Sequence, residues 1–284
     1  MTTLKSFLTE SIKKPIFIGF SEDGKKTAFS KRFSGSKFLS WADLKIEDGN
    51  ILAIDQPLTD FSMVIIGSIG KNYEISTCLE AFIIKNSIPH FFYGVSPENY
   101  NKPLQTVLMN FKGVSQIKTV ICKAGNISAK SLIKKLKLPI ISKITDGSQG
   151  KGIKKHDTLI ELDIFLKKNK SEIYIFQEFI KNDGDYRVLF VKDKFVYSIK
   201  RFRGKDEFRN NVSLGGAQEF TELTVAAKSL ALKACKTMNF DITGVDLIQR
   251  LGTDEWYVME INAAPQFDSP EFEKVVDAIS RYIK

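Results

Sequence analysis

Late in the chain the sequence reads "EWYVMEINAAPQF", Glu255 to Phe267, an apolar run that ends in a carboxylate and an amide, Glu260 and Asn262. Its Tyr, Val and Ile content is that of an inner strand. Side chains alternate between the two faces of a strand, so Val258, Glu260 and Asn262 are expected on one face and Tyr257, Met259 and Ile261 on the other. Just upstream, "TGVDLIQR" reads as the partner strand of a hairpin. With the turn centred near Gly252 and Thr253, Asp246 falls opposite or nearly opposite Glu260.

Two carboxylates and an amide oxygen then converge at one strand edge. Hard oxygen ligands of this kind suit Mg2+, which is usually held by one or two carboxylates and completed by water and phosphate oxygens. The other reading leaves Asp246 and Glu260 as solvent-facing strand ends, and a register slip of one residue would separate them. Both readings stand on these residues alone.

The rest of the chain narrows the chemistry. Its 284 residues suffice for several layers of core. The longest apolar runs, such as "SMVIIG" and "IYIF", fall well short of the about 20 residues that a membrane-spanning helix needs. The N-terminal "MTTLKSFLTESIKKP" carries acid and lacks a continuous apolar segment, so a cytoplasmic protein is expected. Cys78, Cys122 and Cys235 lie far apart, as buried thiols do in a reducing compartment. With only His90 and His156 beside them, neither a zinc site nor a Cys/His or Ser/His nucleophile is expected. The formal charge of +9 is spread along the whole chain. Its densest runs, "SLIKKLKLP" and "FLKKNK", lack the interleaved aromatics that stack on bases, so they read as solvated helix faces rather than a nucleic-acid footprint. An anionic small molecule or an acidic partner remains compatible.

The first third alternates strand and helix patterns. "KPIFIGF" and "DFSMVIIGS" read as strands, and "YEISTCLEAFIIKNS" repeats apolar residues at helical spacing before the strand "IPHFFYG". That is a β-α-β unit of a small α/β domain over residues 1–98. "SPENYNKP" marks a boundary. Beyond it, residues 99–284 carry helices and strands of α+β character, divided into a central part (99–176) and a C-terminal part (177–284). "YRVLFVKDKFVYSIKRF" reads as an antiparallel hairpin turning at Lys192 to Lys194.

Three further constellations lie in this order along the chain. "ISKITDGSQGKGI" is not a P-loop, because Gly147, Gly150, Lys151 and Gly152 lack that spacing. A glycine-rich loop joining two strands can instead cover phosphates with its backbone N–H groups and the Ser148 hydroxyl, with Lys143 supplying a point charge; it reads equally as a surface turn. "FQEFIKNDGDYRV" ends a buried strand in Gln177 and Glu178, and then places Asp185 and Arg187 on one side of the next strand. A surface salt bridge between those two is the plain alternative. "EFRNNVSLGG" groups Arg209, Asn210 and Asn211 before a double glycine.

Taken in order, "NKPLQT", "LPIISKITDGSQGKGI", "QEFI", "DYRV", "FRNN…GG", "GVDLI" and "MEINAAPQF" resemble the ATP-grasp superfamily, in its ribosomal-protein S6 glutamate ligase (RimK-like) branch, from about Asn101 to Phe267. The resemblance implies two α+β subdomains that clasp ATP, preceded by a small α/β domain. It implies an ATP-dependent carboxylate–amine ligase working through an acyl phosphate, with an amino acid such as glutamate added to a peptide, protein tail or small metabolite. By motif position, Lys102 and Lys143 would contact nucleotide phosphates under the loop of Gly147, Ser148, Gly150 and Gly152. Gln177, Glu178, Phe179 and Ile180 would form the adenine hinge and Asp185 the ribose side. Arg209, Asn210 and Asn211 would lie over the triphosphate. Asp246, Glu260 and Asn262 would bind Mg2+, with Mn2+ as an alternative ion. Arg187, Arg201 and Arg209 would serve the reacting carboxylate and phosphoryl group. The chain departs from the family pattern at Pro265-Gln266, where Pro-Gly is usual, and at Ser213-Leu214, on the acceptor side. A non-catalytic ATP-binding module is the rival reading, and a homo-oligomer is a further expectation.

Overall fold

The computed structural model describes residues 14–20, 23–67, 69–92, 101–145, 152–202, 217–263, 265 and 271–282. The chain packs as two compact units, one of residues 1–96 with 266–284 and one of residues 97–265.

The first unit contains β1 (Ile16–Ile18), α1 (Asp23–Arg32), β2 (Lys37–Leu39), β3 (Leu44–Glu47), β4 (Asn50–Ala53), β5 (Gln56–Pro57), β6 (Val64–Ile66), α2 (Tyr73–Lys85) and β7 (His90–Phe92). Strands β2-β1-β6-β7 form a sheet in which every pair is parallel. β1 and β6 are buried on both faces, which is why they read as unbroken apolar runs. Helix α2 crosses from β6 to β7, the β-α-β unit expected from its 3.6-residue period. Segment β3-β4-β5, a small antiparallel sheet, turns at Asp48-Gly49, both with positive φ.

The second unit begins with α3 (Lys102–Phe111), followed by β8 (Thr119–Lys123), α4 (Ala129–Leu136), β9 (Ile140–Ile144), β10 (Ile153–His156), α5 (Leu159–Lys168) and β11 (Ile173–Glu178). The sheet order is β10-β9-β11-β8, antiparallel throughout. Ser128 caps α4, and a Thr158/Glu161 capping box starts α5. Leu132, Leu136, Leu162, Phe165 and Leu166 of these helices bury one face of the sheet against Ile140, Tyr174 and Phe176. The opposite face of β8, β9 and β11 presents Thr119, Ile141, Lys143, Ile175 and Gln177, by the alternation of the paired residues.

The unit continues with β12 (Asp185–Val191), β13 (Lys194–Arg201), β14 (Gln218–Phe220), α6 (Val225–Met238), β15 (Ile242–Gln249) and β16 (Trp256–Asn262). They form an antiparallel sheet of order β14-β13-β12-β15-β16. Helix α6 packs on β15 and β16 through a buried stripe of Ala227, Ala231, Ala234 and Cys235, side chains small enough for close approach. Helix α7 (Glu271–Ser280) belongs to the first unit, where Phe272 meets Phe29 of α1 edge to face. No helix among the described residues is long and apolar enough to cross a membrane.

Candidate functional site

The hairpin β15–β16 places Asp246 directly opposite Glu260, and Gly244 opposite Asn262. The expected convergence is present, but the expected division of faces is not. Asp246 pairs with Glu260 and Leu247 with Val258, which leaves Met259 as an extra residue, a bulge in β16. Val258 therefore faces away with Leu247 and Ile261. Tyr257 and Met259 pack with Ile117, Ile180 and Ile248, on the face that carries Asp246 and Glu260. A Cβ on Gly244 would stand 2.8 Å from Pro265 Cβ and 3.7 Å from Asn262 Cβ, so any larger residue facing the amide would force the strand or Pro265 to shift.

Arg187 lies opposite Asp246 on β12 and grips it with both prongs of its guanidinium, Nε to Oδ1 and Nη2 to Oδ2, each 2.8 Å. Arg201, on β13, reaches Asp246 Oδ2 at 3.0 Å and donates from Nε to Asp185 Oδ1 at 2.5 Å. Asp185 and Arg187 do share one side of β12, as alternation requires, yet Asp185 is buried and Arg187 partly so, and each pairs with another partner rather than as a surface salt bridge. Burial alone would raise the Asp246 carboxyl, but Arg187 and Arg201 outweigh it and hold the group at about 2. For Asp185 burial wins over the attraction of Arg201, aided by repulsion from Asp246, and raises it to about 6.

Helix α3 brings two side chains to the same edge. Asn101 caps it by accepting from the Leu104 N–H, and Pro103 follows one residue inside, so the helix starts at Lys102. Lys102 Nζ lies 3.6 Å from Glu260 Oε1. One turn later, the buried Gln105 bonds the backbone of Ile261, between Glu260 and Asn262, through both ends of its carboxamide. From the other sheet, Lys143 feels the charges of Glu260, Lys102, Asp246 and Asp185, and burial lowers its ammonium below the usual lysine value.

Gln177, 7% exposed, shares its sheet face with Lys143. The Thr119 hydroxyl donates to Ile117 O, so it must accept from Gln177 Nε2 at 3.0 Å, which fixes the amide orientation. Gln177 Oε1 is then left buried without a donor among the described residues. Beyond it, the Glu178 carboxylate accepts from Arg250 at 3.1 Å, Phe179 has Lys155 Nζ 5.0 Å over its ring, and Ile180 is in the cluster with Tyr257 and Met259. Gly152 has φ +77 and leaves no room for a Cβ, which would lie 2.8 Å from Ile144 Cγ2. Gly147, Ser148, Gly150, Arg209, Asn210, Asn211, Ser213, Leu214 and Gln266 lie outside the described residues.

One constellation thus gathers Lys102, Lys143, Asp185, Arg187, Arg201, Asp246, Glu260 and Asn262, with Gln177 to Ile180 further along. Reading the sequence missed Gln105 and Arg250. The "NKPLQT" run held a signal for the first, since Lys102 and Gln105 lie one helical turn apart.

The donor set fits a hard divalent cation. Among the described residues no group of three His, Cys, Asp or Glu side chains is placed to hold a metal; the set here is two carboxylates and an amide. Among the described residues Asp246 Oδ1 takes one donor, Arg187 Nε, which leaves its second acceptor site for a ligand. The orphaned Gln177 Oε1 fits the amino group of a purine.

A probable alpha-L-glutamate ligase of Cellvibrio japonicus (strain Ueda107) is 34% identical over 174 residues, 58% of this chain and 55% of that protein. This chain therefore spans about half the length of such relatives. The ATP-grasp ligase PsnB, solved with a minimal precursor, superposes with a TM-score of 0.76 at 16% identity, over 96% of this chain and 99% of that one. The D-alanine–D-alanine ligase of Bacillus anthracis, solved with ATP, gives a TM-score of 0.65 at 16% identity, over 95% and 98%. At such identities the likeness is one of fold. A family profile described as the RimK-like ATP-grasp domain covers residues 100–284, and the chain belongs to that family.

Proposed function

We propose that the chain is an ATP-dependent carboxylate–amine ligase, forming an amide or peptide bond and releasing ADP and phosphate. One observation carries the reading: Asp246, Glu260 and Asn262 lie together at one strand edge, with Lys102, Lys143, Arg187 and Arg201 around them. A carboxylate is a poor electrophile. Attack of its oxygen on the γ-phosphorus of ATP expels ADP and gives an acyl phosphate. An amine then adds to the carbonyl carbon, phosphate leaves with the electron pair of the broken C–O bond, and the nitrogen loses a proton. No protein nucleophile is required.

The residues position and neutralise charge. Asp246, Glu260 and Asn262 would hold Mg2+, which when bound supplies charge neutralisation at the phosphates. Lys102 and Lys143 face the phosphate chain, and Gln177 to Ile180 the base. Arg187 and Arg201 keep Asp246 ionised and set the electropositive floor against which the carboxylate is oriented. The amine donor is an amino acid, with glutamate favoured by the name of the relative. The acceptor is a carboxylate on a peptide, protein tail or metabolite, in the cytoplasm.

The test is incubation with ATP, Mg2+, an amino-acid pool and candidate acceptors, followed by ADP release and intact-mass analysis. A mass gain of one or more amino-acid residues per acceptor is expected, with Glu260→Gln slowing turnover by at least about a hundredfold. Nucleotide binding without turnover for every amine would instead make the chain an ATP-binding module.

A further inference from the structure

We propose that Gln105 is a positioning residue for the cation-binding edge: its carboxamide stands in for a neighbouring strand at Ile261 and so sets how Glu260 and Asn262 project. The proposal rests on the ligase reading of that edge.

β16 is the outer strand of its sheet, and its outward backbone groups need partners from elsewhere. Ser115 supplies two of them, its carbonyl accepting from Val258 N at 2.9 Å and its hydroxyl donating to Trp256 O at 3.0 Å. At Ile261 no strand among the described residues takes that place. Gln105 Nε2 donates to Ile261 O at 2.8 Å, and Gln105 Oε1 accepts from Ile261 N at 3.1 Å. This is the two-bond pattern one strand residue offers another, made by a single side chain that is 2% exposed.

The location matters because the ladder is weakened there. The bulge at Met259 leaves one residue of β16 unpaired immediately before Glu260, so pairing with β15 alone fixes the following residues less firmly. Gln105 holds the residue between the two ligand side chains from the other side. Its helix also carries Lys102, whose ammonium stands 3.6 Å from Glu260, so a shift of α3 would move the counter-charge and the ligand backbone together. A carboxamide suits this task, since it offers one donor and one acceptor in one plane and brings no charge to a site already crowded with charges.

The experiment uses the full chain with ADP and Mn2+ as probes. Gln105→Met keeps the length and loses both bonds. Ser115→Ala removes an edge bond of the same strand away from the ligands and serves as the control for a merely structural effect. Mn2+ binding to the ADP complex is followed by electron paramagnetic resonance, ADP binding is measured without metal, and amide exchange is read at Ile261. We expect Gln105→Met to weaken Mn2+ binding by at least about tenfold, the range for residues that orient metal ligands, with metal-free ADP binding unchanged and Ser115→Ala at the wild-type value. If Gln105→Met binds Mn2+ as tightly as wild type, or no more weakly than Ser115→Ala, the role is overturned. Should Gln105→Met fail to fold, wild-type exchange decides: Ile261 N–H is expected to be as protected as Val258 N–H, and rapid exchange at Ile261 overturns the clamp. Wild-type protein that binds neither ADP nor Mn2+ would overturn the ligase reading itself, a distinct result.

Discussion

Arg187 and Asp246 stand directly opposite each other on β12 and β15 and close a two-pronged ion pair, with both contacts at 2.8 Å. Arg201 binds the same carboxylate from β13 and carries the network on to Asp185. The carboxylate proposed to meet the cation is thus held by two guanidinium groups before any ligand arrives. Its position is set by three neighbouring strands rather than by a loop.

Breaking that network from one side should be costly. Arg187→Met leaves Asp246 buried with half its counter-charge, and a loss of about 3–5 kcal/mol is expected in urea unfolding. Pairing it with Asp246→Leu should cost less than the sum of the two single changes, because the stranded charge is gone. A fully additive double-mutant cycle would show that the two side chains are not coupled.

His156 predicts a pH dependence away from the site. It is buried on β10, its Nε2 lies 2.9 Å from Ser142 Oγ, and its ring packs on Phe165. Burial lowers it from the ordinary value of 6.5. The folded protein therefore binds this proton less well than the unfolded chain, so stability is complete above about pH 6.5 and falls as pH drops through and below it. Thermal melts between pH 7.5 and 5 should show wild type losing stability relative to His156→Gln as pH falls; Asp185, raised to about 6, acts in the opposite direction in both proteins and cancels from the difference.

Gly244→Ala tests the glycine facing Asn262. The new methyl would meet Pro265 Cβ at 2.8 Å, so strand or proline must move. Overpacking of this kind costs about 1–3 kcal/mol. A larger loss in ligase turnover than in melting temperature is expected, because the displaced segment follows the Asn262 edge. Unchanged turnover would separate Pro265 from the site.

Gln177→Leu should move stability and function in opposite directions. Removing a buried amide whose Oε1 lacks a donor relieves an unsatisfied group, so the melting temperature should hold or rise. Nucleotide affinity should fall by roughly tenfold, the worth of one good hydrogen bond, and discrimination of ATP from GTP should shrink. Equal affinities for wild type and variant, measured by calorimetry, would remove Gln177 from the base pocket.

Much of the fold and the site was legible because the decisive signals are local. The β-α-β unit followed from periodicity over 64–92, and the hairpin of β12 and β13 from two apolar runs around Lys192. The Asp246–Glu260 pairing followed from the distance of each residue to the turn near Gly252. The small β3–β5 sheet was missed, since its strands are only two to four residues long and half-exposed, too short for a period to stand out. The association of 266–284 with the N-terminal segment comes from packing between residues distant in sequence, which no window of the chain contains.

Strand period two put Glu260 and Asn262 on one face, and a short hairpin put Asp246 beside them, because side-chain direction and turn length are properties of adjacent residues. The bulge at Met259 is different. It turns Tyr257 and Met259 toward the cluster with Ile117 and Ile180, and it arises only once β16 is matched against β15 and packed on other elements. The exchange of partners by Asp185 and Arg187 depends on the register of three strands. The Gln105 clamp joins residues 156 positions apart, and a carboxamide in a helix gives no local sign of which strand it will complete.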